Sequence, residues 1–304
     1  MEKFHKFLQD IVLKKISKKE LLIRLQLACE DFHGLDTLTF GRWTKGTSKP
    51  SLHKQLLIAQ SCQCLSEYMD TFEEAKVSSV DERIFTNYLS RFDAPYHHIL
   101  AFEHEEYLFH SRGKNTDLYP YVQRFSDKLE ALKSITEQAH SLYAPINVEL
   151  LAIGEQDNMA VESFIWMQHG LNVHLDCLGI TRNESDYSEK NCVAITLSYY
   201  RSSEHFLLLC GLLVNLMLEH YSNKQKLVIQ FRGLQGLMLS ETLGGKSICS
   251  LPDATFGNLY IHEFDFLRFF ANPVILNIAK KYVNTYRNHF TTLTRHPIRL
   301  SDLG

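Results

Sequence analysis

The stretch Leu35-Asp36-Thr37-Leu38-Thr39-Phe40-Gly41-Arg42-Trp43-Thr44-Lys45-Gly46-Thr47-Ser48-Lys49-Pro50-Ser51 encodes a short helix with both ends marked. Asp36 is an N-cap residue, able to accept a hydrogen bond from an amide in the first turn. The helix runs from Thr37 to about Lys45 and Gly46 ends it, because glycine reaches left-handed dihedrals at little cost. Lys49-Pro50-Ser51 forms a turn, and Ser51 opens a further helix through Leu52, Leu56, Leu57, Ala59 and Cys62. In the Thr37–Lys45 helix, Leu38 and Trp43 are expected to point inward, with Phe40 fitting less tidily. Thr37, Thr39, Gly41 and Arg42 are then left outward.

Towards the N-terminus, Phe4, Phe7, Leu8, Ile11 and Val12 recur at helical spacing on one face. Ser17, with Glu20 three positions on, reads as a capping box. Behind it Leu21, Leu22, Leu25, Ala28 and Cys29 form a second stripe, running to about Phe32, and Gly34 breaks that helix.

Residues 17–62 resemble the lambda-repressor/Cro-like helix-turn-helix family. Its members typically read valine-serine, a polar recognition helix, an aromatic residue, a basic residue and glycine, then Pro-Ser opening the next helix. Leu35-Asp36, Trp43, Lys45-Gly46 and Pro50-Ser51 occupy those places in register. The chain departs from the pattern before Asp36: the spacing from Ser17 to Trp43 is longer than usual by about two helical turns, so helix two is expected to be extended. The resemblance implies a DNA-binding head, probing the major groove with the helix at Thr37. Arg42 suits a guanine edge, and Thr37 or Thr39 a thymine methyl or a phosphate. Lys45, Lys49 and the helix start at Ser51 suit phosphates.

Charge divides in the same sense. Residues 1–65 hold 11 basic and 6 acidic side chains, a net of +5, and the remainder holds 21 and 29, a net of −8. A 45% hydrophobic content excludes a disordered chain. The longest apolar run, Phe206 to Leu218, is too short for a membrane span. Seven cysteines without framework spacing, and an opening Met-Glu-Lys-Phe-His-Lys unlike a signal peptide, lead to the expectation of a cytoplasmic protein.

From Ser66 to about Ala144 the pattern is helical: a helix over Val80, Ile84, Tyr88 and Leu89 stopped at Asp93-Ala94-Pro95, a second from Tyr96 to about His110, and a third from about Leu118 to Leu142. His97, His98, His104 and His110 cluster here with Glu103, Glu105 and Glu106. His104 and His110 are six apart, which places them on opposite sides of a helix, and Cys62-x-Cys64 lacks the gap of a zinc ribbon. No metal site is assigned.

Past Pro145, strand signals appear at Ile146–Leu150, Val173–Cys177, Cys192–Tyr200, Lys226–Phe231 and Leu259–His262. A buried helix spans Phe206–Leu218, and Pro273 starts a final helix through Val274, Ile275, Ile278, Ala279, Tyr282 and Val283. Arg232-Gly233-Leu234-Gln235-Gly236 sits between a strand and a helix. It resembles the turn with which GNAT acetyltransferases hold the pyrophosphate of acetyl-CoA, although the third close glycine is missing. No catalytic motif is recognised, and no cofactor is assigned.

The sequence therefore predicts an α+β multidomain chain. It comprises an all-α helix-turn-helix head over residues 1–65, a helical connector over 66–144, and a mixed α/β domain over 145–304 for sensing or dimerisation. The expected function is transcription regulation without enzymatic activity. Expected partners are double-stranded DNA, a second copy of the chain, and a small-molecule or protein effector, with no membrane. The alternatives are a GNAT-like acyl-CoA-binding enzyme and a protein-interaction module without a DNA role.

Overall fold

A computed structural model of the chain describes residues 4–93, 105–129, 145–156, 160–253 and 257–303. The head begins with α1 (Phe4–Phe7), which continues through a π-helical turn, Leu8–Val12, into α2 (Leu13–Lys15). The Ser17 hydroxyl accepts from the Glu20 amide and starts α3 (Lys18–Ala28). A 3-10 turn, Glu30–Phe32, leads to α4 (Thr37–Lys45), α5 (Leu52–Ser61) and α6 (Leu65–Thr71). Helix two is thus not extended. It ends at Ala28, where Cys29 turns to extended dihedrals, and the 3-10 turn takes up the additional residues.

After α7 (Ser79–Ser90), the chain forms an eight-stranded mixed sheet: β1 (Tyr107–Lys114), β2 (Asn147–Gly154), β3 (Val161–His169), β4 (Cys192–Tyr199), β5 (Lys226–Arg232), β6 (Lys246–Leu251), β7 (Leu259–Asp265) and β8 (Ile298–Arg299). The strand order is β6-β7-β5-β4-β3-β2-β1-β8. Neighbours pair antiparallel except β4 and β5, which run parallel. The helices between strands are α8 (Asn115–Ser126), α9 (Asn172–Cys177), α10 (Ser203–His220), α11 (Gly233–Thr242), α12 (Phe266–Phe270) and α13 (Pro273–Leu293). Among the described residues no helix is long and apolar enough to cross a membrane.

Two readings of local structure are corrected, and one strand gave no signal in the sequence. The last four residues of the segment read as a helix ending near His110 begin β1, which runs on to Lys114 and pairs with β2 along its whole length. Val173–Cys177, read as a strand, lies in α9, since five alternating residues cannot separate the two periods. Strand β3 is buried along almost its entire length because both faces of the sheet are covered, so it carries no alternation to read. His97, His98, His104 and Glu103, and the C-terminal part of the helix expected over Leu118–Leu142, lie outside the described residues.

One face of the sheet packs Leu118 and Val122 of α8 on Val148, Leu150, Phe164 and Trp166. Towards β5 and β7 the same role falls to Leu171, Leu175 and Tyr187, which pack on Ala194, Val228 and Ile261. The other face, with Leu151, Ile153, Ile165, Met167 and Val193, joins α10, α12, α13 and the head in one contiguous apolar core. Gly211 of α10 allows the close approach of α13: a Cβ there would lie 2.7 Å from Cγ of Tyr282.

Candidate nucleic-acid interface and a buried acid cluster

Asp36 Oδ1 accepts from the Thr39 amide at 2.5 Å, and Gly46, at φ 73°, closes α4. Hydrogen bonding to the first-turn amides holds the Asp36 carboxyl below its ordinary range. Phe40, Trp43 and Thr44 are buried, with Trp43 edge-on to Phe40 and Phe32 at 6.2 and 6.5 Å between ring centres. Leu38 is instead 64% exposed, which corrects the expectation that it points inward. The helical period explains the exchange: positions 40, 43 and 44 share one face, and 38, 42 and 45 the opposite one.

Thr37, Arg42, Lys45, Lys49 and Ser51 are all exposed and Thr39 is half-buried. Gly41 is half-buried, and a Cβ there would meet only the tip of the exposed Lys18 side chain, at 3.2 Å. The outward face is therefore Leu38, Arg42 and Lys45, followed by Lys49 on the next turn. Leu38 is the member that sequence reasoning missed, although its i, i+4, i+7 spacing with Arg42 and Lys45 was present. The Ser51 hydroxyl accepts from the Lys54 amide at the start of α5.

The Arg232–Gly236 turn is engaged internally. Arg232 forms an ion pair with buried Asp253 at 3.1 Å, and the Gly233 amide donates to the carbonyl of Asn258. Arg232 is thus mostly covered, and the amide at the start of the turn is already spent on the protein.

A second group of polar residues gave no recognised motif. Glu149 on β2 is almost wholly buried on the α10/α13 face of the sheet. The Tyr221 hydroxyl donates to its Oε1, and His110 Nε2 lies 3.3 Å from its Oε2. Arg112 Nε lies 3.5 Å from Oε1, and His169 Nε2 stands at 3.7 Å, an ion-pair rather than a hydrogen-bond distance. Burial alone would push the Glu149 carboxyl up. The histidines and the tyrosine outweigh it and hold the group well below the ordinary carboxylate range. Burial, together with the bond to Glu149, pushes the Tyr221 phenol up. Among the described residues, no group of His, Cys, Asp and Glu could hold a metal ion.

No family model matches this sequence, and no curated protein matches it significantly. The reading of both sites rests on their own chemistry.

Proposed function

We propose that this protein is a sequence-specific double-stranded-DNA-binding transcriptional regulator. One observation carries the reading: α4 buries Phe40 and Trp43 in the head and turns Leu38, Arg42 and Lys45 outward. A helix that reads the major groove needs this division, a rigid anchored face and an outward face of bidentate and methyl-contacting groups. Arg42 would pair with a guanine edge and Leu38 would cover a thymine methyl. Lys45, Lys49 and the amides at the Ser51 helix start would hold phosphates. Thr37, at the first turn, is placed for a phosphate. In a dimer, two such heads would read half-sites about 34–36 Å apart, and an effector would act by binding two arrangements of the dimer unequally.

Selection of bound sequences from a random duplex pool tests this, with the winner titrated against wild type and Arg42→Ala. The expected result is an inverted repeat whose discrimination at one base falls by about 1–3 kcal/mol in the variant. Failure to enrich any sequence refutes the reading and leaves a basic helical surface for a protein partner.

A GNAT-like acyl-CoA site is the second reading, and one observation favours it. β4 and β5 pair only from Cys192/Lys226 to Ile195/Ile229, and beyond that they share no ladder although both continue. A crevice at the carboxyl ends of parallel strands is a common ligand position. Here the chain occupies much of it, since Phe92 packs on Tyr200 and Phe206, Arg91 donates to the carbonyl of Arg232, and Asp93 accepts from the Ser203 amide, and the cavity left between Ile195, Tyr200, Ile229 and Phe231 measures only about 80 Å³. Calorimetry with millimolar acetyl-CoA is expected to show no binding to the wild-type chain. Saturable binding would favour this second reading over a purely regulatory role.

A further inference from the structure

The geometry points to a binding site for a small organic anion with an apolar body, in the cavity over Glu149. The cavity measures about 680 Å³, within the usual range for small-molecule sites. It opens to solvent and is bordered by the middle of β1, the start of β2, the C-terminal turn of α10, and the C-terminal end of α13 with the segment that follows.

Its walls divide by chemistry. Phe109, Leu216, Phe290 and Leu293 supply the apolar surface. The polar wall holds five side chains able to carry positive charge, His110, Arg112, His220, Arg295 and His296, against one carboxylate, Glu149. That carboxylate is already engaged by Tyr221, His110 and Arg112. These donors hold it in the floor of the cavity. His220, Arg295 and His296 are exposed at the mouth. The exposed Arg295 guanidinium, with His220 and His296 beside it, makes the opening net positive, and a concave positive rim favours a ligand of opposite charge. A carboxylate or a phosphate would sit among the rim residues with its chain directed towards Phe290.

The inference deepens the regulator reading by naming an effector class. Phe290 and Leu293 belong to α13, the helix that also holds the segment after the head. Asn277 exchanges hydrogen bonds with the backbone of Ala75, both at 2.8 Å, and Lys280 donates to the carbonyl of Met69. An anion that moves the C-terminal end of α13 would therefore act on the base of the head.

The test is calorimetry on the full chain at neutral pH and low salt, with hexanoate, hexyl phosphate, 1-hexanol and hexylamine as probes. At least one anion should bind, with the alcohol and the amine weaker by about tenfold or more. The preferred anion identifies the headgroup as carboxylate or phosphate. The exposed-rim double variant His220→Ala/Arg295→Ala should weaken the anion by about tenfold while melting as wild type does. Silence from both anions at millimolar concentration, preference for the amine, or unchanged affinity in the double variant would overturn the proposal. The measurement contains no DNA, so its failure leaves the operator selection standing, and failure of that selection leaves anion binding measurable.

Discussion

Replacing Tyr221 by phenylalanine removes one hydroxyl from the cluster around buried Glu149 and leaves the ring in place. That ring packs edge-on against His169 at 5.0 Å between centres, so packing is retained. The loss is a single hydrogen bond to an ionised, buried carboxylate, about 1.5–3 kcal/mol. Over 304 residues the unfolding entropy near the midpoint is about 0.6 kcal/mol/K, so Tm should fall by about 2–5 °C. The sign with pH follows from the depressed carboxyl. Above the ordinary carboxylate range both native and unfolded Glu149 are ionised, and its stabilisation is fully present. As pH falls through that range, the unfolded chain takes up a proton that the native carboxyl still refuses, and stability is lost. Without the Tyr221 hydroxyl the native carboxyl takes up its proton earlier but still below the ordinary range, so the gap between variant and wild type stays constant down to that range and narrows only at more acid pH. Scanning calorimetry from neutral pH to about pH 4 measures it. A variant melting within about 0.5 °C of wild type at neutral pH, or a gap that widens with acid, would refute the account of the cluster.

Trp43→Ala should cost about 3–5 kcal/mol and lower Tm by about 5–8 °C. Because the head and the sheet share one core, the melt should remain a single transition, and two resolved transitions would show that the head unfolds alone. Gly211→Ala forces a Cβ against the root of Tyr282 and should destabilise by about 1–3 kcal/mol, read as a lower urea midpoint; a neutral result would mean that α10 and α13 separate readily. Lys49→Ala should weaken binding to all duplexes about equally and reduce the magnitude of the slope of log K against log salt by about 1, whereas a loss confined to one base position would assign Lys49 to base reading.

Several of the helices that could be read from the sequence announced their own start. Ser17, Asp36, Ser51, Ser78, Ser202 and Asn272-Pro273 all cap helices, as local chemistry allows within four residues of chain. Strands depend on partners that are distant in sequence. β1 carries Tyr107-Leu108-Phe109-His110, an aromatic run next to acidic residues that also fits a helix, and only pairing with residues 147–154 decides its state. The Glu149 cluster was hidden for the same reason. Arg112 stands opposite Glu149 in the β1–β2 register, His169 comes from β3, and Tyr221 lies 72 positions along the chain. None of these residue types is unusual alone, and their meeting is a property of register. On α4 the period was visible, yet a tryptophan and a phenylalanine competed with Leu38 for the core, and the larger rings took it.

The way the head is attached constrains how regulation could work. A loosely tethered head would be steered by changing its average position. Here α6 lies against α10 and α13, Arg287 reaches both Asp70 and Ser66, Gln60 donates to the carbonyl of Ser222, and Arg268 approaches Asp31 at 3.8 Å. Polar bonds at the edge of a continuous apolar core fix orientation, because sliding α13 would strand buried donors such as the Asn215 amide, which bonds to the carbonyl of Ala279. Packed interfaces of this kind move between discrete arrangements rather than deforming continuously. In a dimeric regulator, half-site spacing would then be set by the whole rigid chain. An effector at the far end of α13 would need only to favour one of two packings of that helix to alter the spacing between recognition helices.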